Sequence, residues 1–236
     1  KIMKVANKYN LFVIEDAAQA VDSFFKEQPL GGIGHLGTFS FHETKNLNCG
    51  EGGMLVINDE KFIRRAEIIW EKGTNRVEFH RGEIKKYEWV DIGSSFLPSE
   101  VVAAFLYAQI NNLKNIQQKR TWIWNYYNDQ LSFLQDKIEI PVMPSYATNN
   151  GHLFYLVMND AKKRQAFLDH MKNKEILSIF HYQSLHRSPF YKSKHDSREL
   201  SNADKYSNQL IRLPLFYELS EKEIQYIITA IKDFFN

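Results

Sequence analysis

Short apolar strands alternate with helical stretches through the first half of the chain, and this alternation constrains the fold more than any other feature. Strands are predicted at residues 11–14, 38–41 and 54–57. A helix is predicted at residues 60–72, because apolar side chains recur there at helical spacing. Strands that alternate with helices are typical of an α/β layer around a parallel or mixed sheet. The predicted fold class is therefore α/β.

The second half of the chain has a different order of elements, with a break marked by Pro141 and Pro144. Helices are predicted before that break, at residues 101–113 and 116–134. Beyond it a strand, a helix, a strand and a closing helix are predicted, at residues 153–158, 164–174, 177–180 and 221–235. We predict that residues 1–115 form the C-terminal part of a large domain, and that residues 116–236 form a linking helix and a small C-terminal α+β domain. The first residues are predicted to end a helix that enters a strand, so we expect an N-terminal portion of the large domain to precede them.

Residues 73–97 lie between the two predicted helical regions and show little periodicity. Segments of this length without secondary structure are usually functional or interfacial in compact proteins. We therefore expect this segment to reach a neighbouring subunit of a homodimer, with an active site shared across the interface.

Charge and cysteine content exclude several classes of protein. The 236 residues carry a net charge of +2, with Lys and Arg spread along the chain, so no nucleic-acid surface is predicted. The single cysteine, Cys49, excludes an internal disulfide and suits a reducing cytoplasm. No apolar run reaches membrane-spanning length, and no cluster of His, Cys, Asp or Glu has the spacing of zinc ligands. We expect a cytoplasmic protein without a nucleic-acid, membrane or metal partner.

A glycine-rich stretch, Gly32-Ile33-Gly34-His35-Leu36-Gly37, matches the dinucleotide-binding pattern G-x-G-x-x-G. That function requires a strand before the motif and a helix that starts inside it, so that pyrophosphate meets the helix N-terminus. Here the residues before the motif, Gln28-Pro29-Leu30, are poor strand formers, and the residues after it, Thr38-Phe39-Ser40-Phe41, are β-like. The stretch is predicted to be a turn between two elements.

Two other segments make chemical sense together. In Val13-Ile14-Glu15-Asp16-Ala17-Ala18-Gln19, acidic residues follow an apolar strand at its C-terminal end, where open α/β sheets place their ligands. In Phe39-Ser40-Phe41-His42-Glu43-Thr44-Lys45-Asn46, a second strand runs into a loop that continues to Gly50-Glu51-Gly52-Gly53. Taken singly, Asp16 could cap a helix and Lys45 could be a solvated loop lysine.

Together these segments resemble the sugar aminotransferases of the DegT/DnrJ/EryC1/StrS family. The E-D-x-A-Q segment corresponds to residues 15–19, the S-F-H-x-x-K-N segment to residues 40–46, and the G-E-G-G turn to residues 50–53. Similar stretches recur further on, at Glu71-Lys72-Gly73-Thr74-Asn75-Arg76, Asp91-Ile92-Gly93-Ser94-Ser95 and Arg212-Leu213-Pro214-Leu215. Within the family the resemblance is closest to the transaminases that make dTDP-4-amino-4,6-dideoxygalactose, in which F-H-E-T-K-N and E-K-G-T-N-R also occur.

The resemblance implies a fold-type I aminotransferase that depends on pyridoxal 5'-phosphate. It implies that Lys45 forms the Schiff base with the cofactor and carries the proton during transfer. Asp16 is expected to hold the pyridine nitrogen protonated, and Gln19 to reach the ring oxygen. Ser40 is expected to donate a hydrogen bond to the cofactor phosphate.

The implied substrates are glutamate as amino donor and a nucleotide-linked 4-keto-6-deoxy sugar, for surface polysaccharide (lipopolysaccharide) biosynthesis. His42, Tyr182 and His186 are the expected substrate contacts, although a packed, hydrogen-bonded role for His42 is an equal alternative. A different keto-sugar of the same family remains open. So does an inactive structural role for this chain without the N-terminal part of the family fold.

The chain departs from the family pattern at two places. In many relatives an asparagine of the partner subunit contacts the cofactor phosphate near position 97, where this sequence has Leu97. Either Ser94 or Ser95 replaces that contact, or the contact is absent. The P-L-H segment of the family is Ser184-Leu185-His186 here, so its proline is lost. A related group of sugar dehydratases has histidine in place of the lysine, and Lys45 argues against that activity.

Overall fold

The computed structural model describes all 236 residues, and the chain divides into two compact units. Unit 1 contains Lys1–Asn115 together with Ser145–Asn150. Unit 2 contains Ile116–Pro144 and Gly151–Asn236. Residues 145–150 therefore pack with the first half of the chain, although they follow the long helix of the second half.

Unit 1 is built around a three-stranded mixed sheet, as predicted for an α/β fold. Its strands are β1 (Ile14–Asp16), β4 (Leu36–Ser40) and β5 (Gly53–Ile57), in the order β1-β4-β5. β1 runs parallel to β4, and β5 runs antiparallel to it. The remaining elements of the unit are α1 (Ile2–Lys8), the hairpin β2 (Phe24–Phe25) and β3 (Gln28–Pro29), and helices α2 (Ile63–Trp70), α3 (Arg76–His80) and α4 (Glu100–Asn111). The predicted strands at 38–41 and 54–57 and the helices at 60–72 and 101–113 are confirmed, with shifted ends.

The first predicted strand, residues 11–14, is wrong in its bounds. The amide of Leu11 donates to the carbonyl of Ala6, so this residue still belongs to the exit from α1. Pairing with β4 begins at Ile14, opposite Leu36, and continues to Asp16. The start of β1 is set by its pairing with β4, so the strand begins three residues after the start of the apolar run.

The glycine-rich stretch is a turn that leads into β4, as predicted. Its main-chain amides bind a carboxylate side chain of the same chain. The Glu15 carboxylate accepts hydrogen bonds from the amides of Gly31 (3.0 Å), Ile33 (2.6 Å) and Gly34 (2.6 Å). On the carbonyl side, the Asn58 amide donates to Gly31 and Gly34. Successive main-chain amides of this kind form an anion-binding concavity. Because Glu15 fills it, no amide of the turn is left for a cofactor phosphate.

The strand before the turn was not expected. Phe24–Phe25 and Gln28–Pro29 pair as a hairpin, and its two turn residues, Lys26 and Glu27, both have positive φ (47° and 67°). Positive φ at both central positions is the geometry of a tight hairpin turn, which Asn-Gly usually signals. Residues 145–150 extend this hairpin, since Thr148 N donates to Phe24 O and Lys26 N to Tyr146 O.

Residues 73–97 fold back onto the end of α2. Lys72 N donates to Ser94 O, and Ser94 N donates to Ile69 O. Gly73 and Gly93 touch backbone to backbone, because a Cβ on Gly93 would lie 2.1 Å from the nitrogen of Gly73. Only glycine allows that approach. The segment is thus tied to α2 by its main chain and includes the short helix α3.

Unit 2 has its own core and a second antiparallel sheet. Its elements are α5 (Leu113–Gln130, which begins at the end of unit 1), β6 (Phe154–Val157), α6 (Ala161–Asn173), β7 (Ile179–Phe180), α7 (Ser201–Gln209), β8 (Leu210–Leu213) and α8 (Glu221–Phe235). The strand order is β6-β8-β7. A capping box between Ser220 and Glu223 starts α8, whose apolar face is buried in the core. The predicted elements at 116–134, 153–158, 164–174, 177–180 and 221–235 are confirmed, while α7 was predicted to be loop.

Candidate active site

Two neighbouring strand ends place Asp16 and Ser40 on one face of the sheet in unit 1. Asp16 is the last residue of β1 and lies opposite Thr38 of β4. Ser40, the last residue of β4, is two positions further on and therefore has the same orientation as Thr38. Because β1 and β4 are parallel, both strands end at the same edge. Glu15, one residue before Asp16, points to the opposite face and holds the glycine turn.

Lys45 lies in the loop between β4 and β5. Main-chain hydrogen bonds within the loop hold its two sides together. Phe41 N donates to Gly52 O (2.8 Å), and Glu43 N to Gly50 O (2.8 Å). Lys45 N donates to His42 O (2.9 Å), which closes a turn immediately before the lysine. The Lys45 side chain is half-buried, and its Nζ makes no hydrogen bond or ion pair. The loop therefore fixes the backbone of the lysine and leaves its amine available.

His42 links the strand end to this loop. Its main-chain amide donates to Ser40 Oγ (3.3 Å), which leaves the serine hydroxyl proton free to be donated elsewhere. The ring Nδ1 accepts from Thr44 N (3.2 Å). The same nitrogen lies 3.0 Å from Thr44 Oγ1, and Nε2 lies 3.6 Å from a carboxylate oxygen of Glu51. His42 is thus a hydrogen-bonded part of the loop.

Gln19 lies in the turn after β1. The turn is closed by Ala20 N, which donates to Ala17 O (2.9 Å), and Ala18 N donates to the Asp16 carboxylate (3.2 Å). The side chain of Gln19 is exposed. Asp16 and Gln19 therefore belong to one strand-and-turn segment beside the Ser40 strand end.

A pair of buried asparagines joins this turn to the lysine loop. Asn46, directly after Lys45, donates from Nδ2 to Asn150 O (2.7 Å). Asn150 donates from its own Nδ2 to Gln19 O (2.8 Å) and Val21 O (3.0 Å). Neither residue was predicted to have a role. Asn46 could have been found as the last letter of the lysine motif, whereas no local pattern marks Asn150.

The remaining predicted site residues have other surroundings. Tyr182 and His186 belong to unit 2, where Tyr182 is exposed. His186 Nε2 lies 3.1 Å from the carboxylate of Asp204. A hydrogen bond from Arg187 is the main cause that holds the pKa of Asp204 below its usual range, with His186 adding to it. In unit 1, Ser94 and Ser95 have main-chain links to α2 and its end.

The residues of unit 1 fit the donor set that pyridoxal phosphate requires. The cofactor needs an amine, a carboxylate for its ring nitrogen and hydroxyl or amide donors for its phosphate and ring oxygen. Lys45 has an unpaired amine, Asp16 a carboxylate and Ser40 a hydroxyl, and all three belong to segments that leave the same sheet edge. Nothing in this arrangement conflicts with the group.

The sequence matches the DegT/DnrJ/EryC1/StrS aminotransferase family over residues 1–232. The chain belongs to this family. Family membership confirms the fold-type I α/β architecture and pyridoxal phosphate as the cofactor of the family. The resemblance carried by the E-D-x-A-Q and lysine segments is thereby confirmed.

Relatives are similar to the chain along its whole length but are longer than it. The uncharacterised protein MJ1066 of Methanocaldococcus jannaschii is 28% identical over 98% of this chain and 62% of its own length. PseC of Helicobacter pylori, an aminotransferase involved in pseudoaminic acid biosynthesis, has a TM-score of 0.88 at 22% identity, over 98% of this chain and 62% of PseC. Spr1654 of Streptococcus pneumoniae, in its PLP form, has a TM-score of 0.83 at 23% identity, over 98% of this chain and 59% of Spr1654. The chain therefore spans about 60% of the length of these proteins.

No helix of the structure combines the length and the apolar character needed to cross a membrane.

Proposed function

We propose that the full-length protein is a pyridoxal-phosphate-dependent aminotransferase that acts on a nucleotide-linked keto-sugar, with glutamate as the amino donor. The observation that carries the proposal is that a carboxylate, a hydroxyl and an amine belong to segments that leave one sheet edge. Asp16 and Ser40 end parallel neighbouring strands, and the loop after Ser40 presents the unpaired amine of Lys45. Membership of a sugar-aminotransferase family supports the same activity.

Four residues of unit 1 would act on the cofactor, each with a different group. The bound cofactor supplies an electron sink for the substrate carbon from which a proton is removed. Lys45 attaches the cofactor and moves that proton with Nζ. Asp16 holds a proton on the pyridine nitrogen through its carboxylate. Ser40 donates its hydroxyl proton to the phosphate, and Gln19 donates its side-chain amide to the ring oxygen.

For the acceptor we propose dTDP-4-keto-6-deoxyglucose, which would be converted to dTDP-4-amino-4,6-dideoxygalactose for surface polysaccharide biosynthesis in the cytoplasm. The support is the resemblance of residues 41–46 and 71–76 to transaminases that make this sugar. His42, Tyr182 and His186 are the proposed sugar contacts. Another nucleotide-linked keto-sugar of the family is the second candidate, because the lost proline of the P-L-H segment changes the region that shapes the sugar pocket.

The test starts with the absorption spectrum of the full-length protein loaded with pyridoxal phosphate. We expect a yellow solution whose visible band is bleached by glutamate and restored by the keto-sugar. A panel of dTDP-, UDP- and GDP-linked 4-keto-6-deoxy sugars then identifies the acceptor, and dTDP is the expected nucleotide. A protein that binds no pyridoxal phosphate, or whose band glutamate leaves unchanged, contradicts the proposed activity and favours a structural role.

A further inference from the structure

The two buried asparagines connect the two segments that carry the proposed cofactor ligands of unit 1. Asn46 and Asn150 are each only 7% exposed. Asn150 comes from the returning segment Ser145–Asn150, more than a hundred residues beyond the lysine loop in the sequence. It bonds both to the lysine loop and to the turn after β1.

The links run in series through Asn150. The Asn46 side chain binds the main-chain carbonyl of Asn150, so it depends on the place of Asn150 and not on its side chain. The Asn150 side chain uses both of its amide protons on the carbonyls of Gln19 and Val21. The two carbonyls are partly buried, so losing these donors costs part of the desolvation free energy of each group. Breaking either link therefore interrupts this path between the Lys45 loop and the Gln19 turn.

We propose that Asn150 is a positioning residue for the cofactor, which acts through the main chain of the Gln19 turn and, through Asn46, of the Lys45 loop. This inference rests on the proposed function, because it assigns a task to the bridge in binding pyridoxal phosphate. The physical reason is preorganisation. A ligand held by groups from two separate segments binds more tightly when those segments are fixed in place before it arrives.

The test uses Asn150→Asp in the full-length protein, because aspartate keeps the shape of the side chain but has no amide protons to donate. Two quantities are measured: the dissociation constant of pyridoxal phosphate, by titration of the apoprotein, and peptide-level hydrogen exchange of the apoprotein. We expect the dissociation constant to rise at least about tenfold, which corresponds to about 1.4 kcal/mol. We also expect faster exchange in both residues 17–21 and residues 42–49.

Asn58→Asp is the matched control. Asn58 also donates from one amide to two main-chain carbonyls, those of Gly31 and Gly34, but it serves the glycine turn. In this variant we expect faster exchange around residues 31–34 and a dissociation constant within about twofold of the parent. If Asn150→Asp binds the cofactor as tightly as Asn58→Asp does, the bridge is merely structural and the inference is overturned.

A double variant tests whether the links act in series. Asn46→Ala and Asn150→Ala are each expected to weaken cofactor binding about tenfold, and together no more than either alone. A product of the two effects, about a hundredfold, contradicts a linkage through Asn150. Should the Asn150 variants fail to fold, Asn46→Ala alone must weaken binding about tenfold for the inference to stand. Failure of the parent protein to bind the cofactor overturns the proposed function instead, while hydrogen exchange still reports on the bridge.

Discussion

Lys45 is fixed at the backbone and free at the amine, which is the arrangement that covalent attachment of a carbonyl cofactor needs. The loop bonds to His42 and between Glu43 and Gly50 hold its main chain, and no carboxylate neutralises Nζ. We predict that sodium borohydride treatment of the loaded full-length protein leaves a pyridoxyl group on this residue. Peptide mapping by mass spectrometry reads the position. A label on another lysine contradicts the assignment, and Lys45→Arg, which keeps the charge, should take up no label.

Asp16 offers a sharper test of the electronic part of the site. Asp16→Asn keeps the shape of the side chain but loses the negative charge that would hold a proton on the ring nitrogen. Loss of a charge-assisted hydrogen bond costs about 1.5–3 kcal/mol, and the loss of carbanion stabilisation adds to it. We expect the variant to bind pyridoxal phosphate and to lose at least about 100-fold in transamination rate, each factor of ten being about 1.4 kcal/mol.

Single-turnover bleaching of the cofactor band by glutamate measures that rate directly. Asp22→Asn, a nearby aspartate in the loop after the Gln19 turn, is the control and should bleach at the parent rate. If Asp16→Asn also bleaches at the parent rate, the side chain only accepts the hydrogen bond from Ala18 N and acts as a strand-end cap.

At the residue scale, the sequence is informative where the ligands are close together in the chain. The β1 and lysine segments each contain their proposed ligands within a few residues, so a motif can reveal them. No local motif reveals Asn150. Its partners Asn46 and Gln19 are 104 and 131 residues away in the sequence, and the residues beside it form no recognisable pattern. Hydrogen bonds across such distances are consequences of the tertiary fold.

At the scale of elements, apolar periodicity predicts which segments are regular better than it predicts where they start. β1 begins at Ile14 because that is where β4 lies opposite, although the apolar run starts at Leu11. α7 has a composition rich in Ser and Asn, which are weak helix formers, and it forms in contact with α6 and β8. Tertiary packing therefore determines both where β1 starts and that α7 is helical.

Glu71 joins the end of α2 to the segment that follows it. The residue is buried, pairs with Ser95 across an isolated bridge, and accepts hydrogen bonds from Lys72 Nζ (3.2 Å) and Arg76 Nη1 (3.1 Å). Burial raises the pKa of its carboxyl, but the bonds from Lys72 and Arg76 outweigh burial and hold the pKa below the usual 4.5. The folded state thus favours the charged form.

We predict that Glu71→Gln lowers the free energy of unfolding by about 1–3 kcal/mol at pH 7. A folded-state pKa below the unfolded value means that the stabilisation is present above pH 4.5 and is lost as the pH falls through the depressed value. Urea denaturation at a series of pH values should therefore show the variant and the parent converging in acid. Glu83→Gln, which removes an exposed pair with Arg81, is the control and should change stability by less than about 1 kcal/mol. A difference that stays constant down to pH 3 contradicts an ionised Glu71.

At the scale of the whole molecule, the sequence predicted two regions of different architecture, and the structure divides into two compact units, with a boundary in the sequence between Asn115 and Ile116. It did not predict that residues 145–150 return to unit 1. A contact-forming segment that lacks regular structure leaves no periodic signal, and these residues are ordered by pairing with the β2–β3 hairpin. The return of this segment is what brings Asn150 to the candidate site.

The surface of α4 bears on the predicted homodimer. The helix has no buried residue, although its sequence is largely apolar. Val101 is 80% exposed and Phe105 is 53% exposed. The helix also lines an apolar groove of about 470 Å³ that includes Phe41 and the turn at residues 51–53. An exposed apolar face of this kind is typical of a surface that is covered in the full-length, assembled protein.

We predict that the full-length protein is a homodimer, that α4 contributes to the interface, and that residues 73–97 lie close enough to it to reach the partner subunit. Phe105→Lys places a charge in that interface and forfeits the burial of a phenylalanine, about 1.5–3 kcal/mol, so the dimer dissociation constant should rise at least about tenfold. Asn111→Lys, a second exposed position of the same helix, is the matched control and should leave the dimer intact. Light scattering and sedimentation over a concentration series measure the constant. A parent protein that is monomeric and fully active contradicts the prediction, and an unchanged constant in Phe105→Lys places the interface elsewhere.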